Sequence, residues 1–358
     1  MGKNIITSDM QEIYKTNCDW SKLDSSTILL TGPYGMLASY IVYYICYLVE
    51  QEGLNIKLVT VGRSKEKFYK RFNDINIANK SFVTFIENDL ESEIYIDGEV
   101  DYIIHAASLA SPQYYAVCPV EVLKPNVVGN FYLLKLAVEK RVKGYLLFST
   151  GDVYGRVDNT STITETDYGV MDTLDIHNCY SESKRMAETM CKAFFVQYNL
   201  PVKLARIWHT YSPTMDIEND PRVFSSFVKN IVHGQDIEMK SDGSGKRCFC
   251  YITDAISGYF KILLDGVPGE AYNVCNEEQY ISMLDLAKKL VHLCPGKNIR
   301  IVQKKREQDE KYTENILLKG KEVRPSSEKL RKLGWNFQID IEEGFSRVIQ
   351  HVVSCTIE

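Results

Sequence analysis

The sequence lacks the features that mark several large classes of protein. Its ten cysteines form no CxxC pair, which argues against a zinc site and favours reduced, mostly buried thiols. The net charge of −5 gives no electrostatic reason to expect nucleic acid or an anionic membrane as the main partner. The apolar run at 41–49 is too short to span a bilayer, and the N-terminus lacks the apolar core of a signal peptide. We therefore expect a soluble, cytoplasmic protein without a metal site.

What the sequence does have is an alternation of short apolar runs and helical patterns. Runs typical of strands lie at 56–61, 82–86, 101–107, 144–150 and 202–208, and 26–53 has the pattern of a strand, a glycine turn and a long helix. This alternation predicts an α/β fold with a Rossmann-type, doubly wound parallel sheet and a smaller C-terminal substrate-binding lobe. We expect an N-terminal extension at 1–25 with a helix that begins at Ser8, a dinucleotide-binding domain at 26–210, and a mainly substrate-binding lobe at 211–358 from which some chain returns to the sheet.

The turn after the first predicted strand, TGPYGMLAS, has the pattern of a dinucleotide-binding turn. Gly32 permits a tight turn, Gly35 lets the backbone approach a pyrophosphate at the helix N-terminus, and Ala38 lets the helix pack closely on the strand. A G-x-x-G turn occurs at many strand–helix corners. It is the position of this one, between the first strand and an apolar helix, that predicts a dinucleotide site.

The end of the second predicted strand departs from the usual NAD site, which has Asp or Glu there for the ribose 2′-hydroxyl. This chain has Gly62, Arg63 and Ser64 instead. Arg63 is suited to a 2′-phosphate, which favours NADP. An arginine at this position also fits a strand end that is simply solvated, so the pattern leaves both interpretations open.

Two further stretches predict an acid–base device. Tyr180 and Lys184 are four residues apart and therefore share one face of a helix. An ammonium beside a phenol stabilises the phenolate and lowers the pKa of the phenol. A hydroxyl from Ser149 or Thr150, at the end of an apolar strand, is then expected to hold a substrate oxygen beside that phenol. Such a site moves a proton on and off a carbinol.

Together these motifs resemble the extended short-chain dehydrogenase/reductase family, in particular its NAD-dependent nucleotide-sugar epimerases, dehydratases and decarboxylases. The resemblance runs from about Thr27 to Val352. It rests on TGPYGMLAS, Asp89-Leu90, HAAS at 105–108, Asn126-Val127, STGDVYG, YSESK, and the C-terminal KLRKLGWNF and IEEGF.

The resemblance implies a role for each matching residue. The expected catalytic residues are Thr150, Asp152, Tyr180 and Lys184. The expected cofactor contacts are Gly32, Tyr34, Gly35, Met36, Arg63, Asp89, Leu90, Ala106, Ala107, Ser108, Asn126, Tyr180, Lys184 and His209. The expected substrate contacts are Ser111, Tyr115, Thr150, His209, Arg222 and Arg247. The resemblance also implies a nucleotide-diphosphate sugar as substrate and a homodimer formed through the helices that include 120–139 and 180–198.

One branch of the family fits better than the others. The stretches HAASLASPQYYAVCPVEVLKPNVVGN and CYSESKRMAETMCKAF look like those of UDP-glucuronate decarboxylases. Those enzymes usually have Ser-Glu where this chain has Gly151-Asp152, and the 4,6-dehydratases have Asp-Glu, so the glycine argues against dehydration. His209 replaces the asparagine common before the TYGP motif, and Ser212 replaces the glycine of that motif.

The leading hypothesis is a decarboxylase that oxidises the sugar at C4 and then returns the hydride. The alternatives are a nucleotide-sugar 4-epimerase, an NADPH-dependent 4-keto reductase, and a cofactor-binding sensor without catalysis. NAD is favoured over NADP, because a closed redox cycle usually goes with tightly held NAD. His105, at a strand end beside the expected cofactor, is interpreted as structural.

Overall fold

The structure, a computed structural model, describes residues 4–157, 161–304 and 324–357. The strands are β1 (Ser26–Thr31), β2 (Ile56–Gly62), β3 (Val83–Glu87), β4 (Tyr102–His105), β5 (Gly144–Thr150), β6 (Thr162–Ile163), β7 (Val202–Ile207), β8 (His209–Tyr211), β9 (Ile237–Met239), β10 (Lys246–Tyr251), β11 (Glu270–Val274), β12 (Tyr280–Ser282), β13 (Ile301–Gln303) and β14 (Arg324–Pro325). The helices are α1 (Ile5–Tyr14), α2 (Met36–Glu50), α3 (Lys65–Arg71), α4 (Gln113–Val117), α5 (Pro119–Lys124), α6 (Asn130–Lys140), α7 (Cys179–Tyr198), α8 (Val223–Val232), α9 (Ile252–Asp265), α10 (Met283–His292), α11 (Glu328–Arg331) and α12 (Ile341–Ile357). Of the helices in this described part of the chain, none has the length and apolar character that a membrane span requires.

Seven parallel strands form the central sheet, in the order β11–β7–β5–β4–β1–β2–β3. Strand β5 is buried along its whole length, as expected for a strand covered on both faces. Helices α2 and α9 pack on one face of the sheet, and α6 and α7 pack on the other. The predicted α/β class with a Rossmann-type parallel sheet is confirmed.

The chain beyond residue 210 builds a smaller lobe and also completes the sheet. Strands β8, β10 and β12 form a separate three-stranded sheet, and β10 leads directly into α9. Strand β11 pairs with β7 at the edge of the central sheet. Its sequence, EAYNV, is not a continuous apolar run, which is why no strand was predicted there. The division of the chain into domains at 210 stays a prediction.

Helix α1 begins earlier than predicted. Its N-cap is Asn4, whose side chain accepts a hydrogen bond from the backbone N–H of Ile6 at 3.1 Å. The prediction that the helix begins at Ser8 is wrong, because an earlier residue supplies the capping oxygen for the unpaired N–H groups of the first turn. Residues 1–3 of the predicted extension lie outside the described residues.

A buried carboxylate joins α1 to the rest of the fold. Asp9 accepts hydrogen bonds from the hydroxyls of Tyr40 at 2.9 Å and Tyr251 at 2.8 Å. It also pairs with Arg347 at 2.8 Å. Burial raises the pKa of Asp9 to about 6, although these three donors favour its charged form. Because the partners lie on α2, β10 and α12, α1 ties the helix after the glycine turn to the C-terminal lobe.

The helix predicted within 120–139 is divided by a wide turn. A π-helical turn at Pro125–Gly129 separates α5 from α6. Pro125 lacks the N–H that a regular α-helix uses for its i to i−4 bond, so the helix changes its winding there. Turns of this kind are frequent at functional sites, and this one carries Asn126.

Candidate active site

Residues predicted for the site lie at the carboxyl ends of three neighbouring strands. Gly32 follows β1, Ala106 follows β4 and Thr150 ends β5, and these strands are adjacent in the sheet. Helix α7 packs against β5 and carries Tyr180 and Lys184. In open parallel sheets, ligands bind outside this edge.

The glycine turn has the tight form that its sequence predicts. Gly32 has a φ of +67°, and a Cβ there would lie 2.8 Å from Cα of Ala107. Only glycine meets both conditions without strain. The N-cap of α2 is Gly35, and no side chain caps the helix at this end. The first N–H groups of α2 therefore suit the pyrophosphate of a dinucleotide, which helix N-termini commonly bind.

A hydrogen-bonded unit of Thr31 and His105 ties the ends of β1 and β4 together. The Thr31 hydroxyl accepts from the backbone N–H groups of Ala106 at 3.1 Å and Ala107 at 3.0 Å. It also lies 2.9 Å from Nδ1 of His105, whose Nε2 lies 2.9 Å from the carbonyl of Pro125. A carbonyl only accepts, so Nε2 carries the proton and Nδ1 accepts from Thr31. Burial, aided by the charge of a nearby lysine, lowers the pKa of His105 to about 3, and the neutral ring is structural as expected.

Asn126 links the π-helical turn to α7. Its amide nitrogen donates to the carbonyl of Val122 and to Oγ of Ser183, each at 2.9 Å. The Ser183 hydroxyl in turn donates to the carbonyl of Tyr180 at 2.7 Å. Asn126 therefore holds the first turn of α7 in place, and its direct contact with a cofactor stays a prediction.

Tyr180 and Lys184 lie on one face of α7, as their spacing predicts. The ammonium is 5.9 Å from the centre of the phenol ring. Nζ of Lys184 donates to the carbonyl of Phe148 at 2.7 Å, and burial lowers the pKa of this lysine to about 7. Among the described residues, Phe148 is the one hydrogen-bond partner found for an ammonium that has three N–H groups. The remaining donors fit the hydroxyls of a ribose.

The protein groups by themselves do not lower the pKa of Tyr180. Burial raises this pKa, the charge of Asp152 raises it further, and a hydrogen bond with Thr150 opposes them in part. Lys184 is not among the groups that shift this pKa, so its predicted lowering of the pKa stays a prediction for the site with cofactor bound. Both side chains are withdrawn from water, which disfavours the phenolate and the ammonium alike.

Thr150 lies between Asp152 and Tyr180. Its hydroxyl accepts from the backbone N–H of Asp152 at 3.2 Å, and its hydrogen bonds lower the pKa of both side chains. Burial raises the pKa of Asp152, and the positive charge of Arg247 lowers it. Arg247 comes from β10 of the smaller lobe. The fold thus brings residues from both parts of the chain to one point.

His209 lies in the fields of two arginines. Burial, then Arg247 and Arg222, lower its pKa to about 3, so the ring is neutral. Arg222 is held by Asp220, whose carboxylate oxygens each lie 2.9 Å from its Nε. Nη2 of Arg222 also lies 3.6 Å from Sδ of Met36, in the glycine turn. These contacts bring predicted substrate residues next to a predicted cofactor residue.

Tyr115 covers the ring of Tyr180. The two rings are stacked, with 5.3 Å between their centres and 9° between their planes. The Tyr115 hydroxyl donates to the carbonyl of Ala110 at 3.0 Å. Tyr115 therefore supports the orientation of Tyr180, and its predicted contact with substrate stays a prediction.

Several buried polar atoms of this region have no protein partner among the described residues. They are Oγ of Ser108, Oγ of Ser111, Oδ1 of Asn126 and Nδ1 of His209. Buried polar groups are almost always hydrogen-bonded, because an unpaired one costs about 1–3 kcal/mol. Their presence on the segments around the Tyr–Lys pair fits a polar ligand, as a dinucleotide and a nucleotide sugar would be.

The residues predicted to contact the adenosine end lie around β2 and β3. Arg63 is exposed, and its backbone N–H donates to the hydroxyl of Tyr34 at 3.0 Å. Asp89 is exposed, whereas Leu90 is buried in the left-handed conformation, with a φ of +66°. Asn88 accepts from the N–H of Leu90 at 2.6 Å and stabilises this unusual backbone. The sequence analysis did not single out Asn88.

A buried charge network behind Lys184 was also missed. Glu188 accepts from the hydroxyl of Ser149 at 2.6 Å and pairs with Arg206, whose Nε and Nη2 lie 3.0 and 2.8 Å away. The network holds α7 against β5 and β7 and thereby fixes the position of Lys184. Glu188 follows Lys184 by four residues on the same helix face, which was the available signal in the sequence.

The Rossmann-type sheet, the glycine turn and the buried Tyr180–Lys184 pair define an enzyme of the short-chain dehydrogenase/reductase class. Within that class, the chain belongs to the NAD dependent epimerase/dehydratase family, whose profile matches residues 28–275. This membership confirms the predicted family and enzyme class. Membership of this family means that the cofactor is a nicotinamide dinucleotide.

Relatives and solved structures agree with this assignment. The chain is 31% identical over 319 residues to UDP-glucuronic acid decarboxylase 6 of Arabidopsis thaliana, and the aligned region covers 88% of this chain and 86% of the relative. Its fold is similar to that of UDP-glucose 4-epimerase from Thermotoga maritima, solved with UDP-glucose, with a TM-score of 0.76, 21% identity and coverage of 93% and 100%. It is also similar to WbmF of Bordetella bronchiseptica, solved with NAD+ and UDP, with a TM-score of 0.73, 20% identity and coverage of 95% of each chain.

Proposed function

We propose that the protein is a nucleotide-sugar decarboxylase that acts on UDP-glucuronate through oxidation of the sugar at C4. The observation that carries the proposal is the cluster around Thr150 and Asp152, in which Thr150 hydrogen-bonds with Tyr180 and the charge of Arg247 acts on Asp152. A guanidinium suits the carboxylate of a uronic acid, which it can bind through two hydrogen bonds. The name of the Arabidopsis relative supports the same activity.

Proton transfer is the task of Tyr180, and Thr150 orients the substrate for it. The Thr150 hydroxyl holds the C4 oxygen beside the phenol, so that Tyr180, as phenolate, takes the hydroxyl proton and later returns it. Lys184 binds the ribose of the cofactor with the N–H groups that Phe148 leaves available. A bound oxidised nicotinamide would supply the hydride acceptor for C4, and its positive charge would favour the phenolate of Tyr180.

Loss of CO2 then follows from the chemistry of the oxidised sugar. A ketone at C4 makes the C6 carboxylate a β-keto acid, so the C5–C6 bond breaks and its electron pair moves towards the C4 oxygen. Thr150 and Tyr180 stabilise that oxygen by hydrogen bonds. C5 next takes up a proton, and we assign its delivery to Asp152, whose backbone N–H binds Thr150 and whose pKa is raised by burial.

The direct test is to incubate the purified protein with NAD and UDP-glucuronate. We expect CO2 and a UDP-pentose, with no net change in NADH absorbance because the hydride is returned. UDP-glucose is the matched control, since it lacks the carboxylate and should release no CO2. Epimerisation at C4 without CO2, or turnover of a 4-keto sugar only with NADPH, would contradict the proposal. Cofactor binding with no reaction on any nucleotide sugar would favour the sensor hypothesis.

The cofactor that we propose is NAD, with NADP as the alternative. Gly62 ends β2 where NAD sites usually have an acid, and a Cβ there would lie 2.9 Å from Cε1 of Tyr34. A side chain at this position would contact the ring of Tyr34, and the next residue, Arg63, is exposed. What supports NAD is the closed redox cycle, which needs no exchange of cofactor between turnovers.

Denaturing the purified protein is expected to release NAD(H), identified by mass spectrometry. Arg63→Ala should then leave the Kd for NAD within about twofold, because the side chain is exposed. If NADP(H) is released instead, Arg63→Ala should weaken NADP selectively, by roughly the 1.5–3 kcal/mol of a charged hydrogen bond. That outcome would overturn the NAD assignment and favour net reduction of a 4-keto sugar.

Arg247→Ala is expected to lower kcat/KM on UDP-glucuronate by roughly 10–100-fold, because it removes a charged hydrogen bond to the substrate. Binding of UDP-glucose, measured as a Kd, should weaken less, since the neutral sugar has no carboxylate. Arg300→Ala is the control: this arginine pairs with Asp236 at 2.8 Å on an exposed surface, and its loss should change neither value. Equal losses on both sugars would make Arg247 a diphosphate ligand only.

We propose that the protein is a homodimer formed through α6 and α7. Large apolar side chains are exposed on these helices and the turn before them: Val128, Phe131, Met186, Val196 and Tyr198. The ring of Phe131 on α6 lies 6.1 Å from that of Phe194 on α7, so the two helices form one apolar surface.

Light scattering during size-exclusion chromatography is expected to give twice the mass of the chain. Phe131→Glu should produce the monomer, because it places a charge in the centre of the apolar surface. Tyr95→Glu is the control, since Tyr95 is 88% exposed outside these helices and its change should leave the dimer intact. A wild-type monomer at micromolar concentration would contradict the proposal.

A further inference from the structure

Position 151 has no room for a side chain. Gly151 lies between Thr150 and Asp152, and a Cβ built on it would be 2.8 Å from Cε2, 2.9 Å from Cδ2 and 3.0 Å from Cζ2 of Trp208. Separations this short force something to move. The contact is with the rigid indole itself and not with the end of a flexible side chain.

Trp208 is held too firmly to yield easily. Its indole N–H donates to Oδ1 of Asn273 at 3.1 Å, and its backbone N–H donates to the carbonyl of Val274 at 3.2 Å. The indole also stacks on Tyr154, with 6.0 Å between ring centres. The Tyr154 hydroxyl donates to the same Oδ1 of Asn273 at 2.7 Å, which fixes the position of both rings.

The indole of Trp208 fills the space that a side chain at position 151 would need, and the residue at this position bears on which reaction follows C4 oxidation. By the resemblance, the position of Gly151 usually has an oxygen-bearing side chain, a serine in decarboxylases and an aspartate in dehydratases. Among the described residues, Asp152 is the acid whose charge acts on Tyr180. Removing water from a sugar takes both a base for the C5 proton and an acid for the departing hydroxyl. Loss of CO2 takes no acid for its leaving group.

We propose that Trp208 determines the specificity of the reaction: it keeps position 151 without a side chain, so that Asp152 acts alone beside Tyr180. The inference rests on the proposed oxidation at C4. With a second acid at position 151, Asp152 would take the C5 proton, and the C5–H electron pair would form a C5–C6 double bond as the C6–O bond breaks. Water would leave with the proton of the second acid, and the hydride taken from C4 would return to C6. Trp208 excludes this outcome and leaves the 4-keto sugar to the other reactions of the site.

The steric part is tested without any turnover, by thermal unfolding of Gly151→Asp, Trp208→Leu and the double variant. We expect Gly151→Asp to lower Tm by about 2–8 °C through overpacking, and the double variant to regain at least half of the loss. Gly296→Asp is the control, because nothing lies within 4 Å of a Cβ at that position. A Gly151→Asp protein as stable as the wild type, or a double variant that regains nothing, would overturn the inference.

The chemical part uses NAD and UDP-glucose, which retains the 6-hydroxyl and has no carboxylate to lose. Mass spectrometry is expected to show at least tenfold more dehydrated product from the double variant than from the wild type or either single variant. A double variant that binds UDP-glucose without dehydrating it, or Gly151→Asp dehydrating it equally well, would overturn the inference. Release of CO2 from UDP-glucuronate by the wild type tests the proposed function separately, so the two failures are distinguishable.

Discussion

Tyr180→Phe is expected to lower kcat by roughly 10²–10⁴-fold, the usual contribution of a positioned acid or base. The change removes one phenol oxygen and leaves the ring stacked on Tyr115. Lys184 keeps its bond to the carbonyl of Phe148, so the Kd for the nicotinamide dinucleotide should stay within about twofold. Product formation gives kcat, and calorimetric titration of the cofactor gives the Kd.

Tyr145→Phe is the matched control for this prediction. Tyr145 is also fully buried, and its hydroxyl donates to Oδ1 of Asn130 at 2.7 Å, away from Thr150 and Asp152. Its loss should cost about 1 kcal/mol of unfolding free energy and leave kcat unchanged. A Tyr180→Phe protein with full activity would show that another group moves the proton.

Features that depend on neighbours in the chain could be predicted from the sequence. The glycine turn at Gly32, the strand before it and the helix after it, and the shared helix face of Tyr180 and Lys184 all follow from local spacing. The position of Lys184 in the fold also depends on contacts between distant parts of the chain. Its helix, α7, is held by the ion pair of Glu188 with Arg206, and Arg206 lies on β7.

Contacts between residues far apart in the sequence explain what was missed. Thr31 and His105 are 74 residues apart and meet because β1 and β4 are neighbours in the sheet. Gly151 stands out in the sequence as a departure from the family, but nothing near it indicates that Trp208 fills the space. Such pairs become visible only when the strand order is known.

The electrostatics of the Tyr–Lys pair shows a second limit of local reasoning. Spacing correctly places the ammonium of Lys184 beside the phenol of Tyr180, at 5.9 Å from the ring centre. It does not reveal that both groups are buried, and burial decides the direction of both pKa shifts. A neighbouring positive charge brings the pKa of a phenol below its usual value only where its attraction exceeds the cost of removing the phenolate from water.

Lys184→Met is expected to damage cofactor binding and turnover together. The Kd for the nicotinamide dinucleotide should rise by roughly 10–100-fold, because a charged hydrogen bond to the ribose is lost. We expect kcat to fall at least tenfold as well, since the ammonium no longer stabilises the phenolate of Tyr180. Calorimetric titration of the cofactor and product formation measure the two effects.

Lys203→Met is the matched control, because Lys203 is also buried, donates to the carbonyl of Leu263 at 2.6 Å and has a pKa lowered by burial to about 8. Its loss should leave the cofactor Kd unchanged.

The lowered pKa of each lysine also makes the stability of the fold depend on pH. Between its folded pKa and the usual value near 10.4, each lysine binds fewer protons in the folded chain than in the unfolded chain, so stability rises with pH in that window. For Lys184 the window opens at about pH 7. The Tm of the wild type minus the Tm of Lys184→Met should therefore increase as the pH rises from 7 to 10. A constant difference in Tm would show that the ammonium stays fully protonated in the folded protein.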